Sequence, residues 1–328
     1  METNRFGSTE LKISELGFGC GAVGGLMVSG DHKEMMAAVE YAIDSGVNYF
    51  DTARMYGDGL SEIHTGAVLR ELGKTDLFVG SKVRIDDREF ENIKKAVAGQ
   101  IDNSLRRLGL DTIDIVYTHN PIGDKSNALT RTLSVEDLNL VEEVFKEAAT
   151  AGKIRYWGFN GLGHTPSIKR ALEEYSPNAI HACYNMLNPT AGNEVPTTFP
   201  YQNYGELMKM ASEKDIGTVG IRILAAGALS GSVERHPLAQ QNVVPIATSS
   251  TFQQDVNRTT AFRFLIEEGF VESLVEASVR FAISNVYLNT ALIGLSNFDQ
   301  LKQAVDYVNK GPLSPQALDL ISETWSAA

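Results

Sequence analysis

Eight times along this chain a short, apolar, β-rich run is followed by a segment whose apolar residues recur three and four positions apart. The runs span 16–18, 48–50, 77–82, 113–119, 154–160, 179–185, 217–224 and 290–295. Strands so continuously apolar are buried on both faces, as in a parallel sheet covered by helices. The helical spacing predicts helices over 31–45, 61–72, 91–108, 134–151, 165–174, 203–214, 271–284 and 297–308. In 91–108 the stripe is Ile93, Val97, Ile101, Leu105 and Leu108, and Ser134 stands where the next helix needs an N-cap. Eight such units in series predict an α/β fold of the (β/α)8 TIM-barrel type, which they fit better than a doubly wound sheet. Weak alternation over 5–16, broken by Gly7-Ser8, adds an N-terminal β-hairpin, and 314–326 adds a C-terminal extra helix. No linker, low-complexity stretch or charge block divides residues 1–328, which read as a single barrel domain.

Composition narrows the partners. A formal charge of −12 argues against nucleic acid and anionic membrane surfaces. The chain carries no signal segment at Met1 and no 18-residue apolar run, so the cytoplasm is the expected location. Cys20 and Cys183 both lie in apolar context and read as small buried hydrophobes in a reducing compartment. The six histidines have no metal-ligand spacing, so no metal is expected.

Chemistry concentrates at strand ends, where parallel α/β folds place it. The second run stops at Asp51, and its loop carries Tyr56 five residues on. The third ends on Lys82 and the fourth on His119. Singly, each has an ordinary explanation as helix cap, half-buried loop residue, solvated cation or core histidine. Together, four titratable groups at three successive strand ends define a candidate site. A phenol is a poor acid at neutral pH, and a neighbouring ammonium favours its phenolate. A carboxylate holds that ammonium charged, and an imidazole can orient a carbonyl oxygen. Such a site protonates a developing alkoxide but holds no electron source, so hydride must come from a cofactor. Gly19, Gly21, Gly24 and Gly25 follow the first strand, but helical pattern resumes only near Asp31, which weakens a Rossmann reading.

These residues resemble the aldo-keto reductase family over nearly the whole chain. The resemblance runs through LGFG, NYFDTARMYGDGLSE, FVGSK, SLRRLGLDTIDIVYTH, GKIRYWGFN, LAAGALSG and LIGLSNFDQLKQA. It implies that Asp51, Tyr56, Lys82 and His119 are a catalytic tetrad. Tyr56 would be the general acid in reduction and the base in oxidation. It also implies an NADP(H) cofactor, with NAD(H) as the alternative, and a small-molecule carbonyl substrate. Cofactor contacts are expected from Gly19, Asp51, Asn160, His181, Ile221, Arg222, Leu224, Gly227, Ser296 and Gln300, with Arg222 or Arg258 on a phosphate. Several depart from the family's pattern. Asn160-Gly161 stands for its Ser-Asn, His181 for its Gln, and Ile221-Arg222 for its nicotinamide-stacking aromatic. Gln303 and Ala304 replace its usual Glu and Asn.

Two further activities stay open under the same resemblance: an aldose dehydrogenase working oxidatively, and a nucleotide-binding regulatory subunit like the family's potassium-channel beta subunits. A Schiff-base aldolase using Lys82 is a competing mechanism, opposed by the nearby Asp51. Met55, Asn120, Met186 and Trp325 are expected to line the substrate pocket. Trp157, out of phase with Asn160, is expected to pack between barrel and helices. The long polar stretch 232–260 reads as a lid or an excursion on the active face.

Overall fold

The structure, a computed structural model, describes residues 1–74 and 76–326. A two-stranded hairpin, β1 (Thr3–Arg5) and β2 (Lys12–Ser14), precedes a closed parallel barrel. The barrel strands are β3 (Leu16–Gly19), β4 (Tyr49–Asp51), β5 (Phe78–Val83), β6 (Ile113–Thr118), β7 (Ile154–Asn160), β8 (Ala179–Cys183), β9 (Gly217–Ile221) and β10 (Thr290–Gly294). They pair in chain order, and β10 closes the ring against β3 and β9. The barrel and both flanking elements are those the periodicity predicts. The hairpin plugs the end opposite the mouth. Phe6, Leu11 and Ile13 pack with the barrel-interior residues Tyr49, Ile115, Tyr117, Ala179 and Val219. Gly7 turns with φ +54°, and a side chain there would collide with Gly217 N at 2.3 Å, so only glycine fits this turn.

Between strands, apolar helix faces cover the barrel. In the helix Ile93–Leu108 the residues Ile93, Val97, Ile101 and Leu108 are buried, and Gly109 ends it in the left-handed conformation. Ser134 caps Val135–Thr150 in a reciprocal box with Asp137. Trp157 is buried against Phe145, with ring centroids 5.9 Å apart, so it packs between barrel and helix as expected.

Seven segments depart from the periodic reading. The helix expected over 203–214 is only Leu207–Glu213, because Gly205 and Glu206 both take positive φ just before it. A one-turn helix, Leu26–Ser29, directly follows the glycine-rich stretch, with Gly25 as its N-cap. The expected strands 113–119, 179–185, 217–224 and 290–295 stop short, and their last residues are mouth loops. The stretch 232–260 is neither structureless nor detached. It contains the helix Phe252–Arg258, capped by Thr251 and Gln254. Upstream, Arg235 donates to Ala226 O, to Gln240 O and to Val23 O, and Gln240 N donates to Ala22 O.

Candidate active site

Strand register brings the predicted tetrad to one mouth. Asp51 is the last residue of β4 and pairs with Gly80 of β5. Lys82, one residue before the end of β5, pairs with Tyr117 of β6. His119 follows β6 directly, and its N–H donates to Val83 O at 2.7 Å, locking it beside Lys82. Tyr56 comes from a tight loop in which its N–H donates to Ala53 O and its carbonyl accepts from Ser61 N. Gly57 (φ +60°) completes this turn, and Val28 leaves no room there for a larger residue.

The Lys82 ammonium forms an ion pair with Asp51 and donates to Thr52 O at 2.9 Å. Lys82 is 2% exposed and Asp51 1%, so the pair is dehydrated. Tyr56, half-buried, lies with its ring centroid 5.1 Å from Lys82 Nζ. Its ring meets the His119 imidazole edge-on at 5.7 Å. Four elements thus converge on one phenol.

Burial and charge compete at every group. Burial alone would raise the Asp51 carboxyl, but Lys82 and then His181 hold it well below the usual carboxylate range. Burial would lower the Lys82 ammonium, yet Asp51 and Tyr56 outweigh it and raise its pKa. Lys82 is therefore a charged lysine and unsuited to form a Schiff base. His119 is pushed down to about 3 by burial and by the Lys82 charge, so its imidazole is neutral. At Tyr56 the sequence expectation needs correction. Burial raises the phenol pKa, and Lys82 pulls it back only in part, so the net shift is upward. The ammonium limits the cost of ionising Tyr56 without making it a strong acid.

The remaining predicted positions ring the same mouth. Gly19 ends β3 between Asp51 and Gly294, where a side chain would meet Ile293 O at 2.7 Å. Asn160 ends β7; its amide donates to His119 O at 3.4 Å, and its Oδ1 is a buried acceptor without a partner among the described residues. His181 lies deeper, fully buried, with its ring 4.2 Å from that of Tyr117. Its Nε2 comes within 3.3 Å of Asp51 Oδ2 outside hydrogen-bonding geometry. Ile221 ends β9, and Arg222 follows at φ +60°, its guanidinium donating to Val244 O at 3.2 Å. After Leu224, the residues Ala225, Ala226 and Gly227 all take positive φ. Within this turn Ala225 N donates to Arg222 O at 2.7 Å and Gly227 N to Leu224 O at 2.8 Å, which fixes the main chain in a tight loop at the mouth. Ser296 and Gln300 engage each other and the glycine loop: Ser296 N donates to Gln300 Oε1 at 2.8 Å, and Ser296 Oγ donates to Gly24 O at 2.7 Å.

Four residues change assignment. Asn120 does not line a pocket: fully buried, it bonds Ile85 N, Ile85 O and Arg131 O. Met186 and Trp325 are also buried, joined by a 3.0 Å bond from the indole N–H to Met186 O, so they anchor the C-terminal helix. Arg258 is occupied by Leu187 O, the Tyr201 ring at 3.9 Å and Asp255, which leaves Arg222 of the two arginines expected on a phosphate. The sequence reading missed Tyr49 and Tyr117. Tyr49 donates to Asp51 Oδ2 at 3.1 Å, and the two hydroxyls are 3.1 Å apart. Each stands two residues before a predicted site residue, and that spacing is the signal that could have found them.

Among the described residues no group of three His, Cys, Asp or Glu is arranged to hold a metal ion. No described helix is long and apolar enough to cross a membrane.

The family model "Aldo/keto reductase family" matches residues 15–326. A "Probable voltage-gated potassium channel subunit beta" of Arabidopsis thaliana is 25% identical over 98% of this chain and 96% of its own length. The D-threo-aldose 1-dehydrogenase of a Pseudomonas species is 34% identical over 68% of this chain and 69% of its own. In fold, the chain matches the holo form of the aldo-keto reductase AKR11C1 from Bacillus halodurans. The TM-score is 0.72 at 23% identity, covering 98% of this chain and 96% of that one. By the family match, carried on the barrel just described, this chain is a member of the aldo/keto reductase family of oxidoreductases.

Proposed function

We propose that residues 1–328 form one catalytic domain that reduces an aldehyde or ketone to an alcohol, with Tyr56 giving the proton. The observation that carries this reading is the dehydrated Asp51–Lys82 pair placed 5.1 Å from the Tyr56 ring, with neutral His119 at the ring's edge. Lys82 stabilises negative charge as it develops on the phenol oxygen. Asp51 keeps Lys82 charged, and His119 can donate one N–H to a carbonyl oxygen.

A nicotinamide nucleotide, when bound, supplies the hydride. The chain fits such a group through the unpartnered Asn160 Oδ1, suited to accept from a carboxamide N–H, and through the tight positive-φ turn at 225–227, where small residues let main chain approach a pyrophosphate closely. Leu224, Gly227, Arg222 and Ile221 would surround the phosphate and ring portions. Gly19 and Asp51 would form the floor, with His181 beneath it and Ser296 and Gln300 at the adenosine end. NADP(H) is the proposed cofactor on the family resemblance, and the cytoplasm the proposed location.

A second reading, oxidation of an aldose with Tyr56 as base, is favoured by the relative named D-threo-aldose 1-dehydrogenase. The deciding experiment titrates NADPH and NADH separately by quenching of protein fluorescence. It then assays a panel of aldehydes, ketones and aldoses in both directions. Binding of neither nucleotide overturns the proposal. Turnover confined to aldose oxidation selects the second reading.

A further inference from the structure

Beneath the mouth a chain of buried polar groups runs down the barrel axis. Asp51 Oδ2 accepts from the Tyr49 hydroxyl at 3.1 Å, and that hydroxyl is 3.1 Å from the hydroxyl of Tyr117. A carboxylate can only accept, so the single Tyr49 proton points at Asp51. Tyr117 must then donate to Tyr49. The direction is fixed: Tyr117 to Tyr49 to Asp51, whose other oxygen faces Lys82, which in turn faces Tyr56.

Neighbouring strands are cut away to admit this chain. A side chain at Gly80 would lie 2.6 Å from the Tyr49 hydroxyl and 3.3 Å from Asp51 Oδ2. One at Gly158 would lie 2.6 Å from the Tyr117 ring, and one at Gly17 would lie 3.1 Å from the Tyr49 ring. Below, the hairpin holds both tyrosines through Phe6, Leu11 and Ile13. Two phenols are thus fixed in the barrel interior, where phenylalanine would fill the same space without a polar atom. Hydroxyls there are retained at a desolvation cost, which their mutual bonding offsets.

We propose that Tyr49 and, behind it, Tyr117 are positioning residues that fix the Asp51 carboxylate against Lys82 and so set how strongly Tyr56 holds its proton. The inference rests on the role of Tyr56 proposed above. The groups facing Asp51 and Lys82 are Tyr49, Tyr56, Tyr117, His119 and His181, with the Cys20 thiol and the Arg222 charge further off. Cys20 and both histidines are neutral near pH 7, and both core phenols lie well above the ordinary value through burial. Both histidines have lost their protons well before the alkaline range where the raised Tyr56 phenol ionises, so the Tyr56 resonance itself assigns an alkaline limb to Tyr56.

The sign follows from the geometry. Without the Tyr49 hydroxyl, the Asp51 charge is less neutralised and offsets more of the Lys82 field. Tyr56 then becomes a weaker acid. In Tyr49→Phe the rising limb of kcat for alcohol oxidation should move to higher pH by roughly half a unit to one unit, a fraction of a charge-assisted hydrogen bond. Tyr117→Phe should move it the same way by less, and Gly80→Ala should do so by displacing the hydroxyl without deleting it.

The test is the pH profile of kcat for wild type and the three variants. Beside it, 13C-tyrosine NMR follows the Tyr56 Cζ resonance, assigned by its absence in Tyr56→Phe. The NMR arm needs no turnover, so it separates failure of this inference from failure of the proposed activity. Upward displacement graded Tyr49 over Tyr117 supports the relay. Profiles and Tyr56 resonances superimposable on wild type overturn it, whatever happens to Tm. Should Tyr49→Phe not fold, Tyr117→Phe carries the same two outcomes.

Discussion

Replacing Lys82 by methionine isolates the electrostatic heart of the site. The substitution keeps the volume and removes the charge. Lys82 and Asp51 are 2% and 1% exposed, so water cannot re-solvate the carboxylate left behind. Breaking a buried pair by removing one partner costs about 3–5 kcal/mol. For a chain of 328 residues that corresponds to a fall in Tm of roughly 4–8 °C. The pH dependence is sharper still. In wild type the Asp51 carboxyl lies below its unfolded value, so its contribution is present above about pH 4 and is lost as pH falls. In Lys82→Met, burial acts without the ammonium and raises that carboxyl above its unfolded value. The penalty is then largest near neutrality and shrinks as pH falls toward 5. Calorimetry at several pH values reads this directly. The double variant Asp51→Asn/Lys82→Met should recover most of the lost stability and none of the lost turnover, so the two losses should be far from additive. A Tm within about 1 °C of wild type at all pH values, where a real penalty would be several-fold larger, would refute the dehydrated pair. Near wild-type turnover in Lys82→Met would show that another group assists the acid.

Other expectations follow from the same energetics. His119 is held neutral with its pKa at about 3, so the unfolded chain takes up a proton below about pH 6.5 that the folded chain refuses; stability should fall by up to about 1.4 kcal/mol per pH unit as pH drops through that window. His119→Gln should flatten the slope in urea titrations, and an unchanged slope would contradict the assignment. Both thiols are pushed up to about 12 by burial, so Cys20 and Cys183 should react with a thiol reagent only on unfolding, and fast native labelling of either would count against the packing. Asn120→Ala should cost about 2–4 kcal/mol by leaving buried backbone groups unpaired, and it should leave the ranking of substrates by KM unaltered. A changed ranking would return Asn120 to the pocket.

The barrel was legible because each unit carries its own local signal, a buried strand and an amphipathic helix. The tetrad was legible because Asp51, Lys82 and His119 interrupt or follow apolar runs, and charge in such runs is conspicuous. What escaped was polarity that resembles core. Tyr49 and Tyr117 read as aromatic filling, and only the three-dimensional path to Asp51 reveals their hydroxyls at work. The reverse error befell Asn120 and Met186, near strand ends, and Trp325, on the C-terminal segment, which suggested a pocket although their bonds turn inward. Sequence order also could not weigh burial against charge at Tyr56, because desolvation depends on surroundings drawn from several elements. The stretch 232–260 showed its polarity in sequence, but not that Arg235 would tie it to Val23 and Ala226.

The most direct test of the central claim is single-turnover reduction of a reactive aldehyde by Tyr56→Phe at saturating reduced nucleotide. The change removes one oxygen and keeps the ring against His119 and Lys82, so nucleotide affinity and Tm should hold. The chemical step should slow by about 10²–10⁴-fold, with kcat and kcat/KM falling together. A rate within a few-fold of wild type would contradict the account and pass the role of proton donor to another group, with His119 next in line.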